Sequence, residues 1–200
     1  PFEDIAFCET STSTISIDTT ADTFQWEVST DGGANWTNII DDLIYNGATT
    51  PSLQISNLQI SFDNNLYRVF LQRTGNTCND TSNEITLTVE PLPSITFTVE
   101  LKQCDDDTDG FSFFNLNEAA SDISTNYLNE TFVFYPRLLD ADNGTNAYTP
   151  AEALAFRNRT VTTDTVWARA ISGFGCYRIA EVNLVVSTTG LPTTFQRSFT

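Results

Sequence analysis

"TFQWEV", residues 23–28, alternates side chains: Phe24, Trp26 and Val28 fall on one face and Thr23, Gln25 and Glu27 on the other. A period of two belongs to a half-buried strand, whereas a helix would scatter the three apolar residues around its circumference. The same period recurs in "TISI" (14–17; Ile15, Ile17), "LQI" (53–55; Leu53, Ile55), "LYRVFL" (66–71; Tyr67, Val69, Leu71) and "EITLTV" (84–89; Ile85, Leu87, Val89). Turn-rich stretches such as "STDGGANW" (29–36) separate these runs, and no segment is long enough for a crossover helix. The first half therefore reads as a sandwich of antiparallel strands.

The prolines of "EPLP" (90–93) end the last of these strands and stiffen a short connection. A second alternation then begins in "SITFTVEL" (94–101), with Ile95, Phe97, Val99 and Leu101 on one face. "NLNEAASDI" (115–123) has capping-box spacing at Asn115 and Glu118, and an apolar stripe of Leu116, Ala119, Ala120 and Ile123, so one short helix is expected there. Further strands are expected in "TFVFY" (131–135), "TVWARAI" (165–171) and "CYRIAEVNLVV" (176–186). "TLTVEPLPSITF" (86–97) and "LVVSTTGLPTTF" (184–195) share one layout, a closing strand, a Leu-Pro linker and a new start. The expected organisation is all-β: one sandwich domain over 1–90, a second over 91–189 with one short helix, and the start of a following module at 190–200.

A length of 200 residues suits two domains of about 100 each. Twenty-six acidic side chains against nine basic ones give a formal charge of -17, which repels nucleic acids and anionic membrane surfaces and makes cations the natural partners. No apolar run approaches the ~20 residues that span a bilayer, and "PFEDIAF" at the start lacks a signal-peptide layout. The chain is expected to be a soluble excerpt of a longer protein. Histidine and methionine are absent and Lys102 is the single lysine, so the commonest general base, most zinc ligands and Schiff-base chemistry are missing. Catalysis would rest on carboxylates, and no spacing singles out the pair that glycoside hydrolysis requires. No enzyme is expected.

The four cysteines fall two to a half: Cys8 and Cys78, then Cys104 and Cys176. Pairing within each half closes two loops of about 70 residues, each worth roughly 4 kcal/mol, and implies an oxidising compartment outside the cytosol. Free buried thiols are the alternative.

"CDDDTDGFSFF" (104–114) crowds four aspartates beside a core. Asp105, Asp107, Asp109 and Gly110 match the D-x-D-x-D-G opening of a calcium loop, in which alternate carboxylates converge and glycine permits the bend. The ninth and twelfth positions are Phe113 and Leu116, so the loop is no EF-hand. An ion would draw further oxygens from the Phe111 carbonyl, from water, or from Asp140 and Asp142. A hydrated acidic turn is the alternative. Calcium offsets the carboxylate repulsion and is the expected, structural cofactor.

Trp26 is expected to pin the first core. Trp36, after the turn "DGGAN", and Tyr148, in a loop, are the candidate flat surfaces for a sugar ring, packing being the alternative for both. Five N-x-S/T sequons, at Asn35, Asn79, Asn129, Asn143 and Asn158, follow from a chain rich in Asn and Thr and are not expected to be used.

"FQWEV", "LQISNL" (53–58) and "DNNLYRV" (63–69) together resemble the immunoglobulin-type sandwich: a tryptophan in the third strand, a Leu-x-Ile strand, and Asp63 four residues before the tyrosine of a tyrosine corner, Tyr67. Val69 stands where the second immunoglobulin cysteine would fall, so the inter-sheet bridge is missing. Val69 is expected to pack on Trp26 with an isoleucine of "TISI". More widely, "CETSTSTISI" (8–17), "FQWEVSTDGGANWTNI" (24–39) and "YNGATTPSLQISNL" (45–58) resemble the immunoglobulin-like repeats of large Bacteroidota surface adhesins. "CDDDTDGFSFFNL" (104–116), "FYPRLLDADNGTNAY" (134–148), "VWARA" (166–170) and "GCYRI" (175–179) resemble a companion repeat of the same proteins. The resemblance implies a cell-surface parent exported by type IX secretion, in some cases a gliding-motility adhesin, with neighbouring modules, surface polysaccharide or other surface proteins as partners. It also implies O-linked glycans at Asp-Ser/Thr-apolar sites, which Asp164-Thr165-Val166 fits and Asp18-Thr19-Thr20 matches more loosely. The expected function is a spacer or filament module in adhesion or gliding. The alternative is a carbohydrate-binding accessory module of a secreted polysaccharide-degrading enzyme.

Overall fold

The computed structural model describes residues 5–73 and 80–187, and the chain divides into two compact units between Leu92 and Pro93. Cys78, Asn79 and the segment 190–200 lie outside the described residues.

The first unit is built from β1 (Ile5–Cys8), β2 (Ser13–Ser16), β3 (Thr23–Ser29), β4 (Thr37–Asn38), β5 (Tyr45–Asn46), β6 (Ser52–Ile55), β7 (Asn65–Gln72), β8 (Asp80–Thr81) and β9 (Ile85–Glu90). Among the described residues one sheet runs β1-β9-β7-β3-β4, with β8 also on β7, and a second runs β2-β6-β5. The alternation read in the sequence is the alternation of burial: β7 and β9 each bury every second residue. Trp26 is fully buried and stands in register opposite Val69. Ile15, Leu53 and Ile55 of the second sheet close on the same cluster, so Val69 does fill the place of the missing bridge. Each such side chain contributes roughly 1.5–3 kcal/mol of burial. The one polar atom of Trp26 is matched, its Nε1 donating to the Thr50 carbonyl at 2.9 Å.

Tyr67 is buried and shares a hydroxyl hydrogen bond of 3.2 Å with Tyr45; burial drives its phenol pKa far up. Asp63, four residues earlier, accepts from the Val89 amide at 2.9 Å and ties the entry of β7 to β9.

The second unit comprises β10 (Thr98–Cys104), β11 (Phe113–Phe114), β12 (Thr131–Tyr135), β13 (Phe156–Arg157), β14 (Thr163–Ile171) and β15 (Tyr177–Ser187), with helices α1 (Ala120–Ile123), α2 (Leu138–Asn143) and α3 (Pro150–Leu154). Its main sheet runs β10-β15-β14-β12, and β11 pairs β13 as a small ribbon. Val99, Leu101, Val166, Ala168, Val182 and Leu184 form the sheet side of the core. Phe114, Leu116, Ala119, Ile123, Ala153 and Phe156 form the opposing layer. Alanines at 168, 170 and 180 leave room for that layer to approach the sheet.

The helix read over 115–123 is present as a 3-10 turn, Leu116–Ala119, running into α1, with the Asn115 side chain accepting from the Asn117 amide. Two further short helices were not expected. In α2 the last turn closes on Gly144 in the left-handed region at φ 69°. In α3 a full capping box joins Thr149 and Glu152 and proline occupies the first turn.

One feature shared by both units departs from the antiparallel arrangement expected for the first half. β1 pairs with β9 in parallel, and β10 pairs with β15 in parallel. In each case the first strand lies beside the last, so no tight hairpin dictates their relative direction. A parallel pair of first and last strands sends the chain in at one end of the unit and out at the other. In the second unit Thr98 and Ser187 are separated by six register steps, about 20 Å along the strands.

Candidate functional site

The acidic loop follows β10 directly. Asp105, Asp107 and Asp109 each offer a carboxylate oxygen, and these oxygens lie within 4.8 Å of one another. Asp105 is buried and already accepts from the Thr108 amide at 2.8 Å and the Gly110 amide at 2.9 Å. Asp107 accepts from the Asp109 amide at 3.2 Å, and Asp109 from the Phe111 amide at 2.7 Å. The alternate aspartates therefore do two things: they fold the turn and they aim negative charge at one point.

The charge is incompletely relieved. The Asp109 amide lowers the Asp107 pKa, but desolvation and the neighbouring Asp109 and Asp106 carboxylates outweigh it and leave the pKa raised. Asp109 has an outside partner, Arg157 of β13, at 3.2 Å. The same guanidinium lies 4.2 Å from the centre of the Phe111 ring. Phe111 thus joins the loop through its amide and ring. Asp140 lies in α2, where it accepts from Asn146 at 2.8 Å, and Asp142 offers its carbonyl to Arg169 and Tyr177; neither joins the acidic cluster.

Residues far along the chain hold the loop in place. Asn158 is buried, donates to the Gly110 carbonyl at 3.0 Å and the Thr160 carbonyl at 2.7 Å, and accepts from the Ser112 amide at 2.7 Å. That committed side chain is no glycan acceptor. Gly110 has φ +80°, and a Cβ there would stand 2.6 Å from the Val161 side chain, so glycine is required twice over. Sequence reasoning identified Asp105, Asp107 and Asp109 but missed Arg157 and Asn158, about fifty residues away.

Neither candidate sugar platform stands clear of its neighbours. Trp36 is half-buried: Arg68 lies 3.9 Å from its ring centre, and its Nε1 donates to the Gly33 carbonyl at 3.2 Å. Tyr148 packs against the second core with its ring centre 5.1 Å from that of Phe156. The outer face of the second unit's sheet carries a shallow groove of about 870 Å³, lined by Glu100, Arg137, Trp167 and Asn183 among others. Thr165 lies in this groove with its hydroxyl donating to Asn183 at 3.1 Å, beside Asp164, which is clasped by Arg159 at 2.7 and 2.9 Å. Thr19 is half-buried in the first unit.

Cys8 and Cys176 are both disulfide-bonded. Cys104 is a free, exposed thiol. The expected Cys104 to Cys176 bridge is therefore not formed: Cys104 ends β10 on its exposed side, whereas Cys176 is buried immediately before β15. These positions are at opposite ends of the parallel pair, since Cys104 is in register with Ser187, eleven residues beyond Cys176. That separation far exceeds the ~4–7 Å between the Cα atoms of a disulfide.

Among solved structures, the chain is similar to the N-terminal eight Ig domains of Down Syndrome Cell Adhesion Molecule (DSCAM) isoform 1.30.30. The identity is 11% and the TM-score 0.38, over 94% of this chain and 22% of that one. It is also similar to the N-terminal four Ig domains of Dscam1 isoform 6.9, at 10% identity and TM-score 0.40, over 93% of this chain and 43% of that one. The chain thus spans less than half the length of these structures. No curated protein matches it. Residues 3–91 match a domain of unknown function, DUF8696, and residues 100–192 match the Flavobacterium inter-domain disulphide bond domain. The second unit is thereby similar to a domain of Flavobacterium proteins, in keeping with the Bacteroidota resemblance read from the sequence.

Proposed function

We propose that this chain is a non-catalytic structural segment of an extracellular adhesion protein, of the exported cell-surface kind found in Bacteroidota. The observation that carries the reading is the parallel pairing of first and last strands in both units. A unit entered at one end and left at the other adds length to a chain. The committed positions of Trp36 and Tyr148 give the carbohydrate-binding alternative little support. The test is deletion of residues 1–187 from the parent protein on its native cell. Shorter surface structures and weakened adhesion or gliding, with export intact, are expected; unchanged reach and adhesion with loss of a polysaccharide-degrading activity would overturn the reading.

We further propose that Cys8 and Cys176 bond to each other. Both are oxidised, Cys104 is free, and a disulfide takes two sulfurs. If Cys8 took Cys78, Cys176 would have no partner left in the chain. The name of the family matched by residues 100–192 agrees with this pairing. Such a bond requires an oxidising compartment, which fits an extracellular location.

For the acidic loop we propose structural calcium at Asp105, Asp107 and Asp109. The convergence of their oxygens and the raised pKa of Asp107 support it. Arg157 is its built-in competitor at Asp109.

A further inference from the structure

We propose that each unit resists tension applied through its own chain ends, because its first and last strands form a parallel pair that must be sheared, not peeled. The inference rests on the spacer reading above and adds a mechanical property to it. In the second unit β10 and β15 are in register from Thr98 opposite Glu181 to Cys104 opposite Ser187. Two flanking hydrogen bonds fix which residues of β10 face β15. The Glu181 amide donates to the Phe97 carbonyl at 2.8 Å, and the Asp105 amide donates to the Ser187 carbonyl at 3.0 Å. In a parallel ladder the bonded residues alternate, so the odd-numbered residues of β10 present their backbone to β15. Their side chains at 99 and 101 are the ones buried in the core.

Tension entering before Thr98 and leaving after Ser187 pulls these strands lengthwise in opposite directions. Bonds that are individually weak then share the strain at once, and Val99 and Leu101 must leave the core in the same step. If both chain ends lay at the same edge, the ladder would open one bond at a time. The first unit repeats the arrangement with four described register pairs, Ile5 opposite Leu87 to Cys8 opposite Glu90, and the Glu9 amide on the Glu90 carbonyl at 2.8 Å.

Single-molecule stretching of the full 200-residue chain, held at its ends in reducing buffer so that no disulfide bypasses a strand, tests the proposal. Two unfolding events are expected, each releasing about 30 nm at ~3.6 Å per extended residue. The comparison is the same chain held at position 163 and at its C-terminus. Thr163 stands near the open end of the antiparallel β14 and β15 pair, opposite Val185, so this geometry unzips, and a several-fold lower force is expected. Equal forces in the two geometries overturn the proposal. Gln103→Pro deletes a donor that faces β15, and Lys102→Pro one that faces away; the first should lower the end-to-end force at least twofold relative to the second, and equal forces for the two variants also overturn it. Should Gln103→Pro fail to fold, the two-geometry comparison on the parent chain still decides. Deleting the segment without effect on reach or adhesion would sink the spacer reading and leave the force ratio untouched, so the two failures are distinguishable.

Discussion

Arg68 sits over Trp36, its guanidinium carbon 3.9 Å from the ring centre, while its Nε donates to Glu27 at 2.7 Å. Glu27 and Arg68 are also register partners across β3 and β7. One cation therefore joins two strands and covers one face of the Trp36 ring.

Arg68→Ala should accordingly act on stability. Loss of the partly desolvated cation–π contact and of a half-buried charge-assisted hydrogen bond predicts about 1–2 kcal/mol of destabilisation of the first unit. Equilibrium denaturation followed by tryptophan fluorescence measures it. A variant as stable as the parent would show that the stack contributes nothing.

Trp26→Ala removes a fully buried side chain and leaves the Thr50 carbonyl without its indole donor. The expected cost is about 3–5 kcal/mol, enough to unfold the first unit of many variants at room temperature. Trp26→Phe keeps most of the volume and orphans only the carbonyl, for an expected loss nearer 1–3 kcal/mol. Urea midpoints of the two variants separate packing from hydrogen bonding.

Acid should weaken the first unit through Asp31. Hydrogen bonds from the Asn35 side chain and backbone, joined by Ser29, lower its pKa from 3.8 to about 2. The folded value lies below the unfolded one, so this stabilisation is fully present above about pH 4 and is lost as pH falls through about 2. In the second unit desolvation opposes the same trend at Asp164, but the bonds from Arg159 prevail and its pKa is lowered. Asp31→Asn and Asp164→Asn should each flatten the pH dependence of the melting temperature below pH 4, and an unchanged slope would count against these carboxylates.

Millimolar calcium should raise the melting temperature of the second unit and chelator should reverse the change. Asp107→Asn should abolish the response. Arg157→Ala, which frees Asp109 from its competing cation, should enlarge it. Indifference of the parent melt to both calcium and chelator would refute the site.

Non-reducing digestion followed by mass spectrometry should recover one cross-linked peptide pair holding Cys8 and Cys176, with Cys104 alkylated without prior reduction. Closing that span restricts the unfolded chain by roughly 5 kcal/mol on the loop-entropy estimate. A Cys8 to Cys78 peptide would show the pairing to be wrong.

The strands were legible because each writes its burial into alternate residues, as "LYRVFL" and "EITLTV" do, and because Trp26 and Val69 face each other as the immunoglobulin resemblance implies. The direction of β1 against β9 was not, since a pairing between strands some eighty residues apart leaves no local periodicity. Helices α2 and α3 are too short for a period to emerge, although "TPAE" (149–152) holds the capping box that marks the second of them. The cysteines show why spacing does not fix connectivity: two loops of similar size suggested a symmetry, and the parallel strands put Cys104 and Cys176 at opposite ends. In the acidic loop the aspartates could be read directly. What restrains them, Arg157 and Asn158, comes from a distant turn that folding brings alongside.

The entry and exit of each unit at opposite poles also bears on how genes for such proteins change. A segment spliced between two such poles needs no rerouting of its neighbours, so copies can be gained or lost by recombination while the flanking modules stay connected. Natural variation within such a lineage is therefore expected to be in repeat number more than in architecture.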